Sequence, residues 1–115
     1  MLGLILGSGL GGVASRFEIK ESTPLEKIMG PEIASRVPPM GHNRRLLRAS
    51  WKGKDIAILQ GRLHYYEGFP MDIAAAPIRN LKGMGVDTVI LTFAAGAMNP
   101  KMKPGDFVVL TDHLH

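Results

Sequence analysis

The chain has 115 residues, 14 Lys and Arg against 10 Asp and Glu, and no cysteine. Zero cysteine excludes disulfides, thiolate nucleophiles and Cys-ligated zinc together. Apolar usage of 45% with 21% charged residues excludes wholesale disorder, and no stretch reaches the roughly 18 apolar residues of a membrane-spanning helix.

In chain order, Leu2–Leu6 predicts a short buried strand running into Gly7-Ser-Gly-Leu-Gly-Gly12. Val13–Phe17 has room for a turn or two of helix. Residues 18–41 are polar, proline-bearing and weakly periodic. Within them Ser22-Thr-Pro24 reads as a helix start, with Thr23 as cap and Pro24 at the first helical position. Leu25, Met29, Ile33 and Val37 recur at four-residue spacing, interrupted by Gly30-Pro31. Arg45–Trp51 and Asp55–Gly61 predict a hairpin around Lys52-Gly53-Lys54. In its second arm Ile56, Ile58 and Gln60 share one face, and Ala57 and Leu59 the other.

Phe69-Pro70 precedes a helical pattern through Met71, Ala74, Ile78, Leu81 and Gly85. Pro77 is expected to kink that helix or separate its first turns. Asp87–Phe93 predicts a strand buried on both faces, and Ala94-Ala-Gly-Ala97 a tight small-residue turn. Pro104-Gly-Asp106 predicts a turn and Phe107–Leu110 a further strand. The sum is an α/β fold, a mixed central sheet with flanking helices. Helices are few for such a sheet, so residues 1–115 read as a single partial domain. The apolar start, Met1–Gly7, lacks a basic region and is too short for a secretory signal, so the cytoplasm is the expected location.

The formal charge of +4 makes no basic stripe. Arg44, Arg45 and Arg48 cluster, Lys52 and Lys54 sit at the hairpin tip, and Lys101 and Lys103 lie between prolines. No alternating basic–aromatic platform accompanies them, which argues against a nucleic-acid partner. The same charge suits a small anionic ligand.

Three segments carry candidate chemistry. Gly7–Gly12 formally fits a dinucleotide fingerprint, but the helix after it is too short and no second strand ends in an acid near residue 30. Its alternatives are an anion nest of backbone N–H groups, with Ser8 adding a hydroxyl, and a plain tight turn. In Gly61-Arg-Leu-His-Tyr-Tyr-Glu-Gly68, an extended chain would point Arg62, His64 and Tyr66 the same way. Arg62 offers a donor fork for phosphate oxygens, histidine, the residue type at 64, can donate a hydrogen bond or titrate near neutral pH, and Glu67 is placed to orient the imidazole. The alternative is a solvated strand end with an ion pair. Thr92–Ala97 allows close backbone approach to a ligand, or simply tight packing. His42 follows two prolines and Met40 on a rigid turn. His113 and His115 lack a third metal ligand nearby, so no metal site is expected. Met71, Met84 and Met98 read as core.

Leu4-Ile-Leu-Gly-Ser-Gly-Leu-Gly-Gly12, Pro39-Met-Gly-His42, Gln60–Gly68 and Gly85–Thr92 resemble the purine nucleoside phosphorylases of the usually trimeric branch. Ala94-Ala-Gly96, Asn99-Pro100, Pro104-Gly-Asp106 and Asp112-His113 continue the match in order. The resemblance implies a phosphorylase/hydrolase-like fold and a homo-oligomer, a trimer in the family. It implies attack of inorganic phosphate on the anomeric carbon of a purine nucleoside, giving free base and ribose 1-phosphate, as in purine salvage. Phosphate is then a co-substrate, and neither metal nor organic cofactor takes part.

By the same resemblance Ser8, Arg62, His64 and the Ala94 N–H bind phosphate, with His42 at the edge of that site. Tyr66 reaches the ribose. His64 and Glu67 are the catalytic pair, Glu67 orienting His64. Two positions depart from the family's usual Thr-Asn-Ala-Ala-Gly-Gly: Phe93 replaces an amide and Ala97 a glycine, a substitution that strains the turn if φ is positive there. The family's base-reading residues lie in a later half that this chain does not carry, so the chain alone is expected to be inactive. Two other readings remain: a 5′-methylthioadenosine phosphorylase-type enzyme and a non-catalytic phosphate-binding module.

Overall fold

A computed structural model describes residues 1–38 and 43–114. Five strands form one mixed sheet: β1 (Leu2–Leu6), β2 (Glu18–Pro24), β3 (Arg45–Trp51), β4 (Lys54–Gln60) and β5 (Thr88–Leu91). Their spatial order is β2-β3-β4-β1-β5. β2, β3 and β4 are antiparallel, whereas β4, β1 and β5 run parallel. Two α-helices, α1 (Leu25–Met29) and α2 (Met71–Gly83), and three short 3-10 turns complete the described elements. No described helix is long and apolar enough to cross a membrane.

Sequence alternation assigns the two faces of the sheet. Ile5, Leu46, Ala57 and Leu59 face α2 and pack with Leu81, Leu63, Phe69, Leu25 and Ile33. Leu6, Leu47, Ala49, Ile56 and Ile58 face the other way, under Ala14 of the 3-10 turn Gly11–Arg16. A fully buried leucine or isoleucine contributes about 1.5–3 kcal/mol from apolar burial, so these central strands hold the fold. The hairpin closes through Lys52 and Gly53, both at positive φ (50° and 76°). A two-residue turn with that geometry matches the strand twist.

Several expectations are corrected. Residues Glu18–Pro24 form β2, an edge strand whose largely exposed side chains leave no apolar alternation to read. Thr23 makes no cap to α1. Extended Pro24 occupies the cap position, and the Thr23 hydroxyl donates to Glu21 (3.2 Å). Val37 is exposed, so the four-residue pattern ends at Ile33. Pro77 sits inside one unbroken helix, α2, whose first turns are not separate. β5 is not buried on both faces: Val89, Ile90 and Leu91 are 41–52% exposed. Phe107–Leu110 forms no strand, and Phe107 and Val109 are each 88% exposed. Met71 and Met98 are likewise exposed, and of the three methionines singled out only Met84 packs against the core. The turn at Pro104-Gly-Asp106 is present, with the Asp106 N–H donating to Lys103 O (3.1 Å).

Candidate functional site

Three neighbouring parallel strands, β4, β1 and β5, end at the same edge of the sheet. Arg62 follows β4, Ser8 follows β1 and Ala94 follows β5, so the topology brings all three loops to one edge. Carboxyl ends of parallel strands are where open α/β sheets bind ligands. These ends are also tied together. The Gly61 N–H donates to Leu6 O (3.1 Å) and the Thr92 N–H to Ile5 O (3.0 Å). The Thr92 hydroxyl donates to Ile5 O (2.7 Å) and accepts the Gly7 N–H (2.9 Å). Gln60 Nε2 donates to Gly11 O (2.8 Å), pinning the glycine loop to the end of β4.

Glycine at position 7 is a matter of space. A Cβ there would lie 2.4 Å from Thr92 O and 2.9 Å from Phe93 Cα, both backbone atoms. The ends of β1 and β5 can approach this closely only without a side chain. Ala97, which stands where the family usually has glycine, is not among the residues at positive φ, so it carries no left-handed strain.

The loop after β4 is extended only as far as His64. Tyr65–Glu67 then forms a 3-10 turn. Tyr66 therefore does not continue the alternation from Arg62 and His64. Its ring stacks on the His64 imidazole instead, with centroids 4.7 Å apart and planes 21° from parallel. The turn lets Glu67 reach back. Its Oε1 accepts the His64 backbone N–H (2.9 Å) and lies 2.6 Å from His64 Nδ1. Its Oε2 pairs with the Arg44 guanidinium, and both side chains are nearly buried.

Arg44 further donates to Ile33 O (2.9 Å) and Arg36 O (2.5 Å). Arg36 in turn donates to Glu67 O (2.5 Å). Both guanidiniums lie over the Phe69 ring, 5.2 and 5.4 Å from its centroid. The segment 31–36, the start of β3 and the 64–69 loop are thereby held as one unit.

Ser8 and Ala94 are exposed, and Arg62 and His64 are partly buried. A hollow of about 390 Å³ beside the loop is lined by Tyr65, Tyr66, Gly68, Phe69 and Pro70, not by those four residues. It adjoins His64 through the stacked Tyr66. His42 lies outside the described residues, as does His115. Among the described residues no cluster of His, Asp and Glu is placed to hold a metal.

A family model described as Phosphorylase superfamily matches residues 2–115. The chain belongs to the phosphorylase superfamily. It is 37% identical over 114 residues to purine nucleoside phosphorylase 1 of Geobacillus stearothermophilus, covering 99% of this chain and 40% of that protein. Against the purine nucleoside phosphorylase of Bos taurus the identity is 36% over 113 residues, with 97% and 38% covered. Among solved structures, isoform 2 of the Schistosoma mansoni purine nucleoside phosphorylase, in complex with cytosine and ribose-1-phosphate, superposes with a TM-score of 0.70 at 37% identity. That match covers 91% of this chain and 36% of the other. The chain thus spans about two-fifths of the length of these superfamily relatives.

Sequence reasoning missed two residues at this candidate site. It read Arg44 with Arg45 and Arg48 as one cationic cluster. The structure separates them: Arg44 is buried against Glu67, Arg45 donates to Ser22 (2.6 Å), and Arg48 lies beside Glu21 (3.6 Å). No strand alternation could separate them, because Arg44 precedes β3 and its backbone turns to φ 47°. Thr92, read as part of the strand Asp87–Phe93 and as the start of the Thr92–Ala97 approach segment, is the clamp between β1 and β5.

Proposed function

We propose that this chain supplies the phosphate-handling part of purine nucleoside phosphorolysis. In this reading the Ser8 hydroxyl and loop N–H groups, the Arg62 guanidinium, His64 and the Ala94 N–H hold inorganic phosphate, with His42 at the rim. Tyr66 contacts the ribose, and Glu67 orients His64. A phosphate oxygen forms a bond to C1′ while the bond from C1′ to the purine nitrogen breaks. The electron pair leaves with the base, which takes up a proton, and ribose 1-phosphate remains. Because the transition state is oxocarbenium-like, fixed donors that hold an anion against it lower the barrier by position and charge.

The observation that carries this reading is the common edge on which the loops after β4, β1 and β5 emerge. The carboxylate beside His64 Nδ1 supports it (2.6 Å). An imidazole whose Nδ1–H is taken by a carboxylate presents Nε2 to the ligand, accepting from a phosphate hydroxyl when neutral and donating when protonated. The relatives' names, purine nucleoside phosphorylase, supply the substrate class. The reading includes a cytoplasmic location and self-association, and it calls for neither metal nor organic cofactor. It also holds that residues 1–115 do not complete the site, so the isolated chain releases no hypoxanthine from inosine.

Titration calorimetry with inorganic phosphate tests it. The parent chain is expected to bind weakly, and Arg62→Ala to abolish the binding. Equal affinity in the two proteins removes the cradle assignment. Steady hypoxanthine release by the isolated chain, at the 1–100 per second or so of ordinary enzymes, removes the claim that the site is incomplete.

A further inference from the structure

Arg44 combines two unfavourable features. Its backbone stands at φ 47°, a region that side chains disfavour. Its guanidinium is 4% exposed, and withdrawing a charge from water is offset only by well-placed partners. Such features persist where the surroundings over-determine them, and they mark positions with a role. The partners here are the Ile33 and Arg36 carbonyls, the Phe69 ring and Glu67 Oε2.

The contacts of Glu67 show what Arg44 does. The carboxylate divides its oxygens, giving Oε2 to Arg44 and Oε1 to the backbone N–H and ring Nδ1 of His64. Without a cation on Oε2 only the Oε1 contacts to His64 would restrain the carboxylate about its terminal bond, whose torsional wells are broad. We propose that Arg44 is a positioning residue for His64. By anchoring Glu67 it keeps the imidazole proton on Nδ1, which makes Nε2 the ring nitrogen able to accept from a ligand. The ligand in that last step, inorganic phosphate, rests on the function proposed above. The anchoring of His64 does not.

The test uses the full chain labelled with ¹⁵N at histidine. In the parent, His64 is expected to show the Nδ1–H tautomer with a ring N–H resonance protected from exchange. Arg44→Gln is expected to lose that resonance, whereas Arg44→Lys, whose ammonium still pairs with Glu67, retains it. A merely structural Arg44 predicts a lower unfolding midpoint in Arg44→Gln with the His64 signature unchanged, and that result overturns the proposal. Loss of the signature in Arg44→Lys overturns it too, and this variant decides the matter alone if Arg44→Gln does not fold. Phosphate affinity separates the two readings. Arg44→Gln is expected to weaken it about tenfold, by analogy with lost support behind a ligating histidine. If the ring signature is lost while neither parent nor variant binds phosphate, the positioning role stands and the phosphate reading fails.

Discussion

The centre of the sheet and its β5 side behave differently although both are rich in apolar residues. At the centre, Ile5, Ala57, Ile58 and Leu59 are at most 1% exposed, because each strand is paired on both sides and layered on both faces. From β5 onward, Val89, Ile90, Leu91, Phe93, Phe107 and Val109 are 41–88% exposed. β5 pairs with β1 alone among the described residues. An apolar run therefore predicts burial only where a second layer exists to receive it. The candidate site straddles this divide, since Arg62 and His64 leave the packed side and Ala94 leaves the open one.

The sharpest way to break this contrast is to truncate one residue on each side. Leu59→Ala is expected to cost about 2–5 kcal/mol, the range for a buried leucine. Phe107→Ala should stay within about 0.5 kcal/mol, as surface changes do. Chemical denaturation of both variants checks this, and equal losses would mean that the 107 region is packed in solution.

A smaller effect separates two glycines of the same loop. Gly7→Ala sets a methyl against the Thr92 carbonyl and should cost about 1–3 kcal/mol, as overpacking does. At Gly12 a methyl would meet nothing within 4 Å, and φ is not positive, so Gly12→Ala should be near neutral. Denaturation midpoints at unchanged slope decide between them.

The smallest effect lies on the packed side's rim. Hydrogen bonding and charge attraction between Lys20 and Asp55 (2.7 Å) hold the Asp55 carboxyl below its ordinary range and raise Lys20 above its own. A lowered acid contributes stability above its unfolded pKa and loses it as pH falls through the folded value. The raised lysine contributes below its unfolded pKa and loses that contribution as pH rises through its folded value. Both groups are exposed, so screening keeps the contribution slight. Asp55→Asn should flatten the acid side of the stability curve slightly, which thermal melts between neutral and acid pH would detect.

How much of this was legible in the sequence follows the same divide. The hairpin was readable because Ile56–Gln60 alternate between two packed faces and Lys52-Gly53 closes the turn. Strand β2 was not, because Glu18–Thr23 faces mostly water and an edge strand of polar residues leaves no periodic signal. The extended reading of Tyr66 failed because the Glu67 side chain takes the His64 N–H, which favours a turn over continued strand. Pairing Glu67 with Arg44 needed contact across 23 positions of chain, which no local pattern encodes.

In the function proposed above, the ends of β4, β1 and β5 form one anion site. Amide chemical shifts recorded through a titration with inorganic phosphate test it most directly. Ser8, Arg62, His64 and Ala94 are expected to shift together along one saturation curve. Shifts in the loop after β4 alone, with Ser8 and Ala94 unmoved, would contradict it.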